Sequence, residues 1–202
     1  MEPLTFYTNP MSRGRIAHWM LEEVGQPYQT VWLDYGTTMK AQPYLSVNPM
    51  GKVPALTHGD HLITENAAII TWLADAFPQA GLFPADRGRF YRWMFFGAGP
   101  LEAAVTNAAL GVQVPPDRRG MVGYGSLGQV TDVLDQALTQ APYLCGAAFS
   151  AADVFVGSQI GWGMQFKTIE PRPALVDYWS RISARPALAR SSATCDARLK
   201  KE

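Results

Sequence analysis

The chain has 202 residues, 48% of them hydrophobic and 17% charged, with 17 basic residues set against 17 acidic ones. That length can bury the core of one large domain or two modest ones, and the composition excludes a disordered chain. The even charge, with no long run of one sign, excludes the long-range field of a dedicated nucleic-acid or membrane-surface binder, and no apolar stretch reaches the ~18 residues of a membrane span.

Leu4 to Thr8 sets Leu4 and Phe6 against Thr5 and Tyr7, the period of a short strand. Beyond Asn9-Pro10 the chain reads as a helix from about Ser12 to Val24: Ser12 is a good N-cap, Ile16, Met20 and Val24 share a face, and Gly25 ends it. Tyr28 to Asp34 is rich in β-formers and reads as a strand parallel to the first, completing a β-α-β unit. Residues 35 to 46 hold at most a helical turn, and Val53–Leu56 and Leu62–Thr64 flank His58-Gly59-Asp60 as a hairpin. Ala67 to Phe77 is a helix with a wide apolar face, stopped by Pro78. The first unit is thus β-α-β-(α)-β-β-α, spanning residues 1–77.

Residues 78–86 carry two prolines and a glycine and mark a linker, after which residues 87–202 read as all helical. Arg87 to about Leu110 is one predicted helix and Asp117 to Leu138 another, the latter weakened at its start by Gly120, Gly123, Gly125 and Gly128. Ser150 and Asp153 form a variant capping box for a nearly all-apolar helix, Ala151 to Phe166, in which Gly157, Gly161 and Gly163 permit close backbone approach. Two proline-opened helices, from Pro173 and from Pro186, complete the chain.

Several local signals lead nowhere. Gly123 to Gly128 matches a dinucleotide fingerprint but has no strand before it. His58, Asp60 and His61 sit in a tight turn, where solvated polar residues are commonest, so no metal is expected. His18 lies mid-helix and reads as a packed or solvated imidazole. Cys145 and Cys195 form neither a C-x-x-C nor a metal spacing, which suits a reducing compartment; with no secretory signal at the start, a cytoplasmic protein is expected.

Val47 to Leu56 is the stretch around which the first unit is organised. Pro54 opens a strand-like run without a ladder N–H, and an X–Pro bond is the one kind for which cis is cheap, which would leave the N–H and C=O of Val53 free for a guest. The alternative is an ordinary trans proline at an edge strand. Asn48-Pro-Met-Gly-Lys-Val-Pro-Ala-Leu56, Glu65-Asn66 after the hairpin and Phe149-Ser-Ala-Ala-Asp153 in the helical part together resemble the soluble glutathione S-transferases, in particular their bacterial, theta-related branch. The resemblance covers essentially the whole chain. It implies a thioredoxin-like first domain with Pro54 cis, a homodimer, and an enzyme of detoxification that conjugates glutathione, as co-substrate and without a metal, to a small hydrophobic electrophile. Glutathione-dependent isomerisation, disulfide or peroxide reduction, and a non-catalytic binding or regulatory module are the alternatives.

Glutathione carries an α-amino and an α-carboxylate group at one end, a glycine carboxylate at the other, and peptide groups beside its thiol. Glu65 can bind the ammonium, the start of the following helix and the Asn66 amide can bind the adjacent carboxylate, Val53 beside Pro54 can pair with the cysteinyl backbone, and Lys52, with Lys40, can meet the glycine carboxylate. Glu65 and Asn66 could instead be plain helix caps. Family members more often carry Ser where this chain has Asn66. A hydrogen bond to the sulfur must favour the thiolate, and relatives supply it from a Tyr, Ser or Cys just after the first strand. Aligned through Arg13-Gly14-Arg15, that position falls on Asn9, a departure from the pattern. Ser12 is the nearest hydroxyl and the leading candidate, ahead of Asn9 and then Tyr7, with a purely capping Ser12 as the alternative. Trp93, Phe96, Trp162 and Phe166 are candidate walls for the electrophile, and each could equally be core.

Overall fold

Leu4–Thr8 forms β1, with Leu4, Phe6 and Thr8 buried on one face, in the computed structural model of the chain, which describes residues 2–200. Helix α1 (Gly14–Val24) carries the chain back, so that β2 (Tyr28–Trp32) runs parallel to β1. Parallel neighbours need such a crossover, which a tight turn cannot provide. A short α2 (Tyr44–Val47) leads to the antiparallel hairpin of β3 (Ala55–His58) and β4 (His61–Thr64), and α3 (Asn66–Ala76) follows. The sheet order is β2-β1-β3-β4, a thioredoxin-like arrangement.

Register decides what the sheet presents. Tyr7 pairs with Ala55 and Ala55 with Thr64, so the next residues along, Thr8, Pro54 and Glu65, stand side by side at one end of the sheet. The pleat turns Phe6 toward α1, where its ring meets His18, and turns Tyr7 to the opposite face, against Tyr44 and the cluster of Leu33, Met39 and Ala55.

The second unit, Phe83 to Ala184, is helical: α4 (Arg87–Phe96), α5 (Glu102–Ala109), α6 (Leu127–Gln140), α7 (Ala151–Gln165) and α8 (Pro173–Ser183). The single helix predicted from Arg87 to Leu110 is interrupted by a π-helical turn, Gly97–Leu101, because Pro100 offers no N–H to the ladder. The helix predicted from Asp117 starts only at Leu127, after a 3₁₀ segment Pro116–Met121; Gly120, Gly123 and Gly125 favour the loop, and Ser126 caps α6 by accepting from Gln129 N at 3.1 Å. At the head of α7 the Asp153 carboxylate accepts from Ser150 N and Ser150 Oγ, both at 2.8 Å, from Leu144 N and from Tyr178 OH, both at 2.9 Å. Asp153 is thus buried and fully bonded, although burial still raises its pKa. α8 packs closely on α7: a Cβ at Gly161 would stand 2.6 Å from the Trp179 ring.

The last helix, α9 (Pro186–Leu199), was grouped by the sequence with the helical part, yet it belongs to the first unit, which holds the chain up to Leu82 and from Arg185 on. Its face complements α1. Arg185 grips Glu23 with two bonds of 2.6 and 2.7 Å, Arg190 bonds Glu22 at 2.7 Å, and Arg15 bonds Asp196 at 2.6 Å. Between these pairs His18 is buried, its Nδ1 3.2 Å from Cys195 Sγ and its Nε2 2.7 Å from Tyr28 OH. Tyr28 donates to Glu22, so its oxygen accepts from Nε2–H and Nδ1 is left to accept the thiol proton. Burial pushes His18 down to about 4, with Glu22 pulling the other way and Arg15 adding to the fall. Among the described residues no helix is long and apolar enough to cross a membrane.

Candidate functional site

The loop from Asn9 to Gly14, between β1 and α1, is tied down from three elements. Asn9 is buried and its amide faces inward, Nδ2 donating to Leu33 O beyond β2 at 2.8 Å and Oδ1 accepting from Met11 N at 2.8 Å. Arg15 donates from Nε to Pro10 O at 2.6 Å while its other end holds Asp196 on α9. Asn66 at the start of α3 donates from Nδ2 to Arg13 O at 2.9 Å. Inside the loop Ser12 Oγ donates to Asn9 O at 2.7 Å and accepts from Gly14 N at 3.0 Å. Ser12 therefore caps the helix start from one position further out than an N-cap, because α1 begins at Gly14 with Arg13 as its cap residue.

The Val47 to Leu56 stretch is held by a second set of bonds. Asn48 closes a turn on Met50 N at 3.1 Å and donates from Nδ2 to Lys52 O at 2.9 Å, and Tyr44 OH donates to the same carbonyl. Lys40 Nζ donates to Gly51 O at 2.6 Å and Met50 O at 3.2 Å, which makes Lys40 a brace for this loop. Lys52 projects its side chain into solvent. The Val53–Pro54 bond is cis, and neither the N–H nor the C=O of Val53 has a hydrogen-bond partner among the described residues.

Glu65 stands at the third corner with φ 68° and ψ 125°, a conformation that non-glycine residues rarely adopt and that costs of order 1–3 kcal/mol. Its carboxylate is exposed and does not cap α3, whose opening N–H groups, from Asn66 to Ala68, have no partner among the described residues. A helix start with uncapped donors is suited to an anion.

The structure thus brings Ser12, Lys52, Val53, Pro54, Glu65 and Asn66 to one end of the sheet, with Lys40 bonded to the loop before Lys52. Tyr7 is turned to the other face, and Asn9 has its amide committed within the scaffold. Tyr44 and Asn48 shape the site without having been singled out by the sequence; Asn48-Pro does carry a turn signal, whereas nothing local marks Tyr44, whose hydroxyl burial pushes up to about 12. Of the aromatic candidates in the second unit, Trp93 is buried with Phe96 edge-on against it, Trp162 is half-buried and Phe166 is 70% exposed. In the hairpin His58 accepts from Trp72 Nε1 at 3.3 Å and the His61 ring lies on the same indole, so packing accounts for both imidazoles.

Residues 6–81 match the family model described as glutathione S-transferase, N-terminal domain, and residues 125–186 that of the glutathione S-transferase C-terminal domain. The sequence is 28% identical to glutathione S-transferase F10 of Arabidopsis thaliana, over 94% of this chain and 96% of that protein. Among solved structures, a glutathione transferase from Methylococcus capsulatus superposes with a TM-score of 0.79 at 27% identity, covering 96% of this chain and 99% of its own. The theta-class glutathione S-transferase of Xanthomonas axonopodis pv. citri, which has glutathione bound, superposes with a TM-score of 0.74 at 28% identity over 95% and 98% of the two chains.

Proposed function

Because the chain belongs to the glutathione S-transferase family, we propose that it binds glutathione at the end of the sheet where Thr8, Pro54 and Glu65 stand side by side and activates the thiol through Ser12 for attack on a small hydrophobic electrophile. In this reading Glu65 meets the α-ammonium group and the open N–H groups of α3 meet the neighbouring carboxylate. The N–H and C=O of Val53 pair with the cysteinyl unit as an added strand would, and Lys52 meets the glycine carboxylate. Lys40 and Asn9 support the two loops. The homodimer and cytoplasmic location implied by the family belong to the same proposal, and sedimentation of the purified protein tests the first.

The wiring of Ser12 carries the reading. Gly14 N–H donates into Oγ, while the hydroxyl hydrogen rests on Asn9 O, a carbonyl that also accepts from Ser12 N at 3.1 Å. Turning the hydroxyl to a thiolate gives up one neutral hydrogen bond of about 0.5–1.5 kcal/mol and orphans no acceptor, while a bond to a charged partner is worth about 1.5–3 kcal/mol. The turn is downhill once the thiolate is present. Lowering a thiol from about 8.5 by about two units takes roughly 2.7 kcal/mol, within reach of that bond together with the dipole of α1. The thiol proton passes to solvent, the sulfur lone pair forms the C–S bond, and the leaving group departs with its own bonding pair. Burial pushes Cys145 up to about 11 and Cys195 upward as well, which disfavours reduction through a protein thiol.

Initial rates with a chloronitroaromatic electrophile test the proposal. Ser12→Ala should lose about tenfold or more in kcat/KM at neutral pH. Absence of turnover by the wild type with several electrophiles, or full activity in Ser12→Ala, would overturn it.

A further inference from the structure

We infer that Asn66 is a positioning residue for thiol activation, acting on Ser12 through the Arg13–Gly14 peptide. Its side chain is tied into the loop before α1. Nδ2 is held by Arg13 O at 2.9 Å, and Oδ1 is buried with no donor among the described residues. The resemblance pairs this amide with the glutathione carboxylate; in this proposal the backbone N–H groups of α3 take that contact and the amide holds Arg13 O.

The Arg13 carbonyl and the Gly14 N–H are the two ends of one planar peptide unit. Asn66 donates to the carbonyl end, as does Ile16 N at 3.0 Å, and the N–H end donates to Ser12 Oγ at 3.0 Å. A donor on the carbonyl polarises the unit and strengthens its N–H, and an N–H donating into a hydroxyl oxygen makes that hydroxyl a stronger donor. Asn66 thus fixes the orientation of the peptide and sharpens the acidity of the Ser12 hydroxyl along a single line of bonds. The Cα of Gly14 is packed closely beside both hydroxyls, since a Cβ there would stand 2.1 Å from Thr8 Oγ1 and 2.9 Å from Ser12 Oγ. A serine at position 66 is too short to hold the Arg13 carbonyl in the same way, so this coupling is specific to the asparagine.

The inference rests on Ser12 as the sulfur donor, and a double-mutant cycle separates the two. The readout is the pKa of the bound glutathione thiol, taken from the ultraviolet absorbance of the thiolate as pH is raised, in the wild type, Ser12→Ala, Asn66→Ala and the double variant, with Asn66→Ser as a second replacement should Asn66→Ala fold poorly. Asn66→Ala and Asn66→Ser should each raise the thiol pKa by about half a unit to one unit, equivalent to a loss of about threefold to tenfold in thiolate at a pH below it. The double variant should match Ser12→Ala alone. If Ser12→Ala leaves the thiol pKa where it is, the Ser12 reading fails and the inference falls with it. If Ser12→Ala raises the pKa but the Asn66 variants alter only glutathione affinity, or add fully to Ser12→Ala, the inference alone is overturned.

Discussion

Gly14 donates its backbone N–H to the hydroxyl oxygen of Ser12 across 3.0 Å, and a Cβ on Gly14 would lie 2.1 Å from Thr8 Oγ1 and 2.9 Å from Ser12 Oγ. Gly14→Ala should therefore destabilise the protein by about 1–3 kcal/mol, the usual effect of overpacking. Removing the obstacle should help: in a Thr8→Ala background at least half of that loss should disappear. Urea unfolding of the four proteins checks this, and equal losses in both backgrounds would contradict it.

Asn9 has both ends of its amide bonded to the backbone, Nδ2 to Leu33 O and Oδ1 to Met11 N, which predicts a scaffold role. Asn9→Ala would strand the buried Leu33 carbonyl and free Met11 N, a loss of about 1–3 kcal/mol. Asn9→Asp should be worse, because a carboxylate cannot donate to Leu33 O. Chemical denaturation measures both, and stability within about 0.5 kcal/mol of the wild type in Asn9→Ala would refute the scaffold role.

The seam between α1 and α9 sets an acid limit on stability. His18 is held down to about 4 by burial, against about 6.5 in an unfolded chain. Between these values the unfolded state binds the extra proton, so stability rises with pH across that window. Below pH 6.5 the contribution of His18 is progressively lost, by about 2–3 kcal/mol when pH 4 is reached. Glu22, kept below its usual value by Tyr28 and Arg190 against its own burial, adds a loss of the same sign at still lower pH; Arg15 and Cys195 are the other groups that face the imidazole. In His18→Gln, lower in absolute stability, the slope between pH 4 and 6.5 should nearly vanish. Denaturation midpoints across pH decide the matter, and an unchanged slope would contradict it.

Two donors converge on the Lys52 carbonyl, one from Tyr44 and one from Asn48, and together they set the position of Val53. Tyr44→Phe should raise KM for glutathione about twofold to fivefold with little change in kcat, and Asn48→Ala, which also opens the turn at Met50, should raise it further. An equal fall in kcat would place their effect on the chemistry and not on binding.

How much of this was legible in the sequence depends on the range of each interaction. The β-α-β-α-β-β-α order followed from local periodicity, whereas the row of Thr8, Pro54 and Glu65 depends on the pairing of β1 with β3, which no local pattern specifies. Ser150 and Asp153 could be read because a capping box is written in four consecutive residues. The break at Pro100 was readable in principle, since proline leaves a gap in any helical ladder. The roles of Asn9 and Asn66 were not, because their partners, Leu33 and Arg13, lie 24 and 53 residues away, and an amide looks the same whether it faces a ligand or a carbonyl. The placement of α9 was hidden for the same reason: Glu23 and Arg185 are 162 residues apart, and only the fold shows that they meet.

The central claim is that the end of the sheet beside Pro54 is a glutathione site with Glu65 as its ammonium-binding corner. Isothermal titration of glutathione into the wild type and into Glu65→Gln, which keeps the shape and removes the charge, tests this most directly. The account predicts saturable binding to the wild type and a loss of about tenfold or more in affinity in Glu65→Gln. No binding to the wild type, or equal affinity in the two proteins, would contradict it.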